Sequence, residues 1–135
     1  MNALKGIYVL IIQVDKKINV NVGALGKMAF TEGLYAYVGS AQTSMEQRVK
    51  RHLRRKKKKF WHIDYLLDKD AAKIVKVLFK EAAKAEECKT AKALSENSEP
   101  IAGFGCSDCN CKSHLFRIED CRVMQETMQV FTAET

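Results

Sequence analysis

Tyr8, Tyr37, Arg48 and His52 are side chains of the kinds that phosphodiester chemistry uses. They come in a short order: two strand tyrosines, then an arginine and a histidine four apart on one helix. Hydrolysis of a phosphodiester needs an activated water, a cation against the charge on the phosphoryl oxygens, and stabilisation of the leaving oxygen. A carboxylate is the natural magnesium ligand, because that ion takes oxygen donors and keeps several waters. Glu86 and Glu87 are the two candidates, and helical phase separates them: Glu87 falls on the small apolar face shared by Ala83, Ala91 and Leu94, and Glu86 turns away from it. A carboxylate on such a face must be paired, bound to metal, or at the edge of a cavity. Each residue also has a plain structural role open to it. The tyrosines could fill the core with their hydroxyls at its edge, His52 could simply pack, and Glu87 could bridge to Arg48 without any metal.

The elements that must position these residues follow from periodicity. Residues 6 to 14 are rich in β-branched and aromatic types and predict a strand. Residues 18 to 22 alternate apolar and polar and predict a half-buried strand hairpinned to the first. Gly23 and Gly26 bracket a turn or a short irregular strand, and residues 34 to 39 predict the next strand, with Tyr35 and Tyr37 on one face. Thr43 or Ser44, followed three residues on by Glu46 or Gln47, caps a helix running to about Arg55. Its buried stripe is expected to be Met45, Val49 and Leu53, with His52 beside the stripe and Arg48 next to it. A short helix or turn over 61 to 67, a strand over 74 to 79, a helix over 82 to 97 and a last strand over 115 to 118 complete the pattern. The expected architecture is α+β: a small, mainly antiparallel sheet flanked by helices. Residues 1 to 118 form the domain, and 119 to 135 a C-terminal extension that shows no period and is expected to fray.

The net charge of +7 is unevenly placed. Nine of the twelve residues from Arg48 to Lys59 are Lys or Arg, which leaves 14 bases against 16 acids elsewhere. All of the positive excess therefore lies in one segment, the expected footprint for a polyanion. Phe60 and Trp61 adjoin it, as base-stacking groups would. Lys50, Arg51, Arg54, Arg55, Lys56, Lys57, Lys58, Lys59, Trp61 and His62 are the candidate nucleic-acid contacts. The longest apolar run is too short to span a bilayer and no signal peptide is visible, so the expected location is cytoplasmic, with no membrane partner.

In order and spacing, Gly6-Ile7-Tyr8, Tyr37-Val38-Gly39 and the helix bearing Arg48 and His52 resemble the GIY-YIG nuclease superfamily, with Val38 where isoleucine is usual. The resemblance implies that a helix glutamate holds one divalent ion, Mg or Mn, that the first tyrosine helps to activate the nucleophile, and that the helix arginine meets the scissile phosphate. Carried over by position, these roles fall to Glu87, Tyr8 and Arg48, with Tyr37, His52 and His62 in support. The asparagine that closes the set in many members has no counterpart placed here. Gly103-Phe104-Gly105 through His114-Leu115-Phe116, enclosing Cys106, Cys109 and Cys111, resembles the Cys-rich tail of a largely archaeal subfamily of this type, sometimes joined to endonuclease III. Cys106, Cys109, Cys111 and His114 could hold zinc, although the Cys-x-Cys spacing is tight for it; free thiols and a disulfide are the alternatives. The resulting expectation is a magnesium-dependent endonuclease acting on DNA rather than RNA, in repair or processing, with a DNA-repair protein as partner. The alternatives are a nucleic-acid-binding module without catalysis and a redox or zinc-linked interaction domain.

Overall fold

The computed structural model describes residues 5–54, 57–59, 61–105, 113–120 and 122–130. Its first strand, β1 (Gly6–Val14), is buried at every position but Gln13, which is why the run reads as continuously apolar. β1 is the centre of the sheet, paired antiparallel to β4 (Gly33–Ala41) on one side and to β5 (Ala72–Glu81) on the other. With both edges of β1 occupied, β2 (Ile18–Asn21) cannot join it. β2 instead pairs with β3 (Lys27–Phe30) in a separate two-stranded sheet, joined by the turn Gly23–Leu25, which corrects the expected hairpin with β1.

β6 (Glu99–Pro100), β7 (Leu115–Ile118) and β8 (Gln129–Val130) complete the main sheet in the order β6-β7-β4-β1-β5-β8, every pair antiparallel. The helices α1 (Met45–Leu53), α2 (His62–Leu67), α3 (Ala85–Asn97) and α4 (Arg122–Gln125) flank it. The fold is therefore α+β. The alternation along β1 sends Tyr8, Leu10, Ile12 and Val14 into one core with α1, α2 and the small sheet. Ile7, Val9 and Ile11 enter a second core with Ala91 of α3 and with Met124 and Met128. Residues 122 to 130 thus pack, though a four-residue helix and a two-residue strand are too short to show a period. No described helix is long and apolar enough to cross a membrane.

Two glycines of the opening motifs are required by close approach. A Cβ on Gly39 would collide with the ring and hydroxyl of Tyr8, its register partner across β1 and β4. A Cβ on Gly6 would collide with the Lys80 carbonyl of β5. Only hydrogen fits at either place, so Gly39 is what allows the Tyr8 ring to lie across the neighbouring strand.

Candidate active site

α1 starts where the Ser44 hydroxyl accepts the Gln47 amide (3.3 Å). It buries Met45, Val49 and His52. Leu53, expected in the stripe, is 39 % exposed, and His52, expected beside the stripe, is 2 % exposed and occupies the face instead. Buried there, His52 Nε2 lies 2.7 Å from the Tyr8 hydroxyl, and its ring stands 6.2 Å from that of Tyr37 and 5.6 Å from that of Trp61. Tyr35, by contrast, is a core tyrosine with its hydroxyl tied to the Thr31 carbonyl at 2.8 Å.

Burial makes the Tyr8–His52 pair neutral. It lowers the His52 imidazole from 6.5 to about 3, with the Asp64 charge opposing in part. It also raises the Tyr8 phenol well above its ordinary value, against the pull of Arg48, and holds Tyr37 high in the same way. His52 Nδ1 is buried without a hydrogen-bond partner among the described residues. Two tautomers serve the 2.7 Å contact: with the proton on Nδ1, Tyr8 donates to Nε2; with it on Nε2, the ring donates to the phenol oxygen.

Ser40, near the end of β4, joins the other two groups. Its carbonyl accepts from Arg48 Nη1 at 3.1 Å, and its hydroxyl donates to Glu87 Oε1 at 3.1 Å. The second carboxylate oxygen of Glu87 lies 3.2 Å from Nδ1 of the buried His114. The Arg48 guanidinium also lies over the Trp61 ring, 4.7 Å from its centroid. Tyr8, Tyr37, Arg48, Trp61, His62 and Glu87 then line one cavity of about 400 Å³, which Gln42, Thr43 and Lys84 share. His62 Nδ1 accepts the Gly105 amide at 2.8 Å, which places the proton of the neutral ring on Nε2.

The basic segment divides. The Arg51 guanidinium turns inward: it donates to both carboxylate oxygens of Asp64 (3.1 and 3.0 Å) and lies 4.4 Å from the Trp61 ring centroid, so it is not a free phosphate contact. Lys57 Nζ donates to the His52 carbonyl at 2.8 Å. Lys50 pairs with Glu46 and Lys59 with Asp68 at 3.7 and 3.5 Å, both exposed, and Arg54 and Lys58 are exposed as well. Arg55 and Lys56, and the candidate zinc ligands Cys106, Cys109 and Cys111, lie outside the described residues; His114, the fourth of that set, is engaged by Glu87.

Ser40, Asp64, Lys84 and the link from His114 to Glu87 are what the sequence reading missed. Asp64 alone left a signal, as an acid at the third position of a short helix, where its carboxylate accepts the Trp61 amide at 3.0 Å.

The sequence profile of the family described as Domain of unknown function DUF123 matches residues 7–135. The chain belongs to that family. No curated protein and no solved structure matches it.

A divalent cation fits this DUF123 site in one way only. Among the described residues no three His, Cys, Asp or Glu side chains gather as a ready-made metal cage, and Glu87 is the single carboxylate on the cavity. Its two oxygens are oriented by Ser40 and His114, the kind of outer support that ligating carboxylates receive. One oriented carboxylate suits magnesium, which fills the rest of its shell with water and substrate phosphate. It does not suit a closed zinc site, which needs four protein ligands.

Proposed function

We propose that this DUF123 chain is a magnesium- or manganese-dependent endonuclease that hydrolyses DNA phosphodiester bonds, acting in the cytoplasm in DNA repair or processing. The observation that carries the reading is that Tyr8, Arg48 and Glu87, from three different elements, face one cavity with Ser40 between the arginine and the glutamate. The resemblance to GIY-YIG nucleases names the same three residues.

The chain's own groups account for the steps. Arg48, braced by the Ser40 carbonyl and the Trp61 ring, presents its guanidinium to a phosphate without having to be ordered on binding. As a water attacks phosphorus, its proton passes to the Tyr8 oxygen while the Tyr8 proton passes to His52 Nε2. The pair therefore exchanges protons from a neutral start, and the imidazolium formed, favoured by the Asp64 charge but opposed by burial and by Lys57, Arg51 and Arg48, gives its proton up readily. The bond to the leaving oxygen breaks, and that oxygen takes a proton from solvent. Glu87 would hold the divalent cation, which when bound supplies charge neutralisation at the phosphoryl oxygens.

Lys50, Arg54, Lys58 and Lys59 serve the approach of the polyanion, so affinity for DNA is expected to fall steeply with salt. The test of the relay is Tyr8→Phe, which removes only an oxygen from a buried ring. Cleavage should fall by about 10²- to 10⁴-fold with DNA affinity unchanged. Full turnover in that variant would remove Tyr8 from the chemistry. A wild-type protein that binds DNA and never cuts it would favour the non-catalytic binding module.

A further inference from the structure

The second face of the main sheet is covered by α3 and the 122–130 segment, and these do not close over each other. A groove of about 960 Å³ remains between α3, the ends of β5 and β7, and α4. Its floor is apolar: Leu94 is half-buried, and Ile118, Met124 and Met128 lie beneath it. Its rim is acidic, and the charges there do not cancel. Glu86 is answered by Lys80 and Lys89 at 3.9 and 3.5 Å, and Asp120 by Arg122 at 3.2 Å. Arg117, the remaining cation on the groove, donates to the Thr31 hydroxyl and the Glu32 carbonyl at 3.1 and 3.0 Å and keeps its charge opposite Glu99, its register partner across β6 and β7. Glu96, Glu99, Glu119 and Glu126 are left exposed, with no ion pair among the described residues.

With six carboxylates against Lys80, Lys89, Arg117 and Arg122, the rim keeps a net negative charge around an apolar floor and repels nucleic acid, on a protein whose net charge is +7. The groove also lies across the sheet from α1 and its basic residues, since α1 packs on the Tyr8 face and α3 with Met124 and Met128 on the Ile7 face. Its occupant therefore has the opposite character to the ligand of the basic segment. We propose that the groove docks a cationic amphipathic segment of a partner protein, with apolar side chains on the Leu94, Met124 and Met128 floor and lysines or arginines against the glutamate rim. Methionines suit such a floor because their unbranched side chains adapt to the shape of the anchor. The partner's charge matches the rim, its apolar stripe matches the floor, and both faces of the sheet can be occupied together. This inference stands apart from the nuclease reading.

The experiment is fluorescence anisotropy with the full chain and a synthetic peptide that carries leucine at every third or fourth position and lysine between. A scrambled peptide of the same composition and the double variant Glu96→Lys, Glu119→Lys, both exposed positions, are the controls. The patterned peptide should bind at least about tenfold tighter than the scrambled one. The double variant should bind it about tenfold more weakly, with DNA affinity not reduced. Equal binding of the two peptides would mean attraction by charge alone, and unchanged affinity in the variant would put the contact elsewhere; either overturns the proposal. So would absence of binding, or a salt-sensitive dimer in sedimentation that the peptide fails to displace, which would make a second copy of the chain the occupant.

Discussion

Ser40 shows how little a polar residue needs in order to organise a site. One carbonyl and one hydroxyl, on the same residue of β4, fix Arg48 and Glu87, so a guanidinium and a carboxylate are set side by side by one residue of a central strand. His52 carries the opposite cost, because burial holds it neutral where an exposed histidine would titrate. Its ordinary value is 6.5 and its folded value about 3, so between these the unfolded chain holds a proton that the folded chain refuses. The contribution to stability is therefore complete above pH 6.5 and is lost as pH falls toward 3. The slope is at most about 1.4 kcal/mol per pH unit. Urea midpoints of wild type and His52→Gln compared at neutral pH and near pH 5 isolate this term: wild type should lose more stability than the variant, and parallel losses would contradict the buried neutral imidazole. At this scale the sequence displayed the groups whose chemistry lies in their own type, Tyr8, Arg48 and His52. It hid Ser40 and the contact of His114 with Glu87, because their importance comes entirely from the residue that each touches after folding.

Asp64 works between elements. Its carboxylate, fully buried, takes the Arg51 guanidinium of α1 and the Trp61 amide at the start of α2, so the two helices are tied together and the Trp61 ring is held against Arg48 and Arg51. Asp64→Ala would leave Arg51, whose side chain is 17 % exposed, without its carboxylate. A loss of about 3–5 kcal/mol is expected from denaturant unfolding, since a buried pair broken on one side strands the other charge. A loss below about 1 kcal/mol would mean that the pair behaves like a screened surface bridge. Elements were legible where burial was one-sided or complete: the apolar run of β1 and the Met45, Val49 stripe of α1 fixed their own faces. The partner of β2 was not legible, because alternation identifies a half-buried strand without saying which edge is vacant; that depends on β5 arriving from far along the chain to take the second side of β1. Leu53 was misplaced for a related reason, since α1 ends there and its last residue no longer faces the sheet.

Across the whole molecule two kinds of surface stand apart. The cavity of Tyr8, Arg48 and Glu87, which takes Glu87 from the first turn of α3, adjoins the basic residues that follow Arg48; an acidic groove lies farther along α3. The concentration of positive charge between Arg48 and Lys59 was visible in the sequence, but its division into inward Arg51 and outward Arg54, Lys58 and Lys59 required the packing of α2. The central claim is that this cavity cuts DNA with a metal held by Glu87. Its most direct test is cleavage of labelled duplex, single-stranded, flap and branched DNA, with magnesium, manganese or chelator, by wild type and Glu87→Gln, with DNA affinity measured alongside. Cuts that require metal and fall by at least about 10²-fold in Glu87→Gln, at unchanged affinity, are predicted. Metal-dependent cutting that survives the substitution undiminished would contradict the assignment.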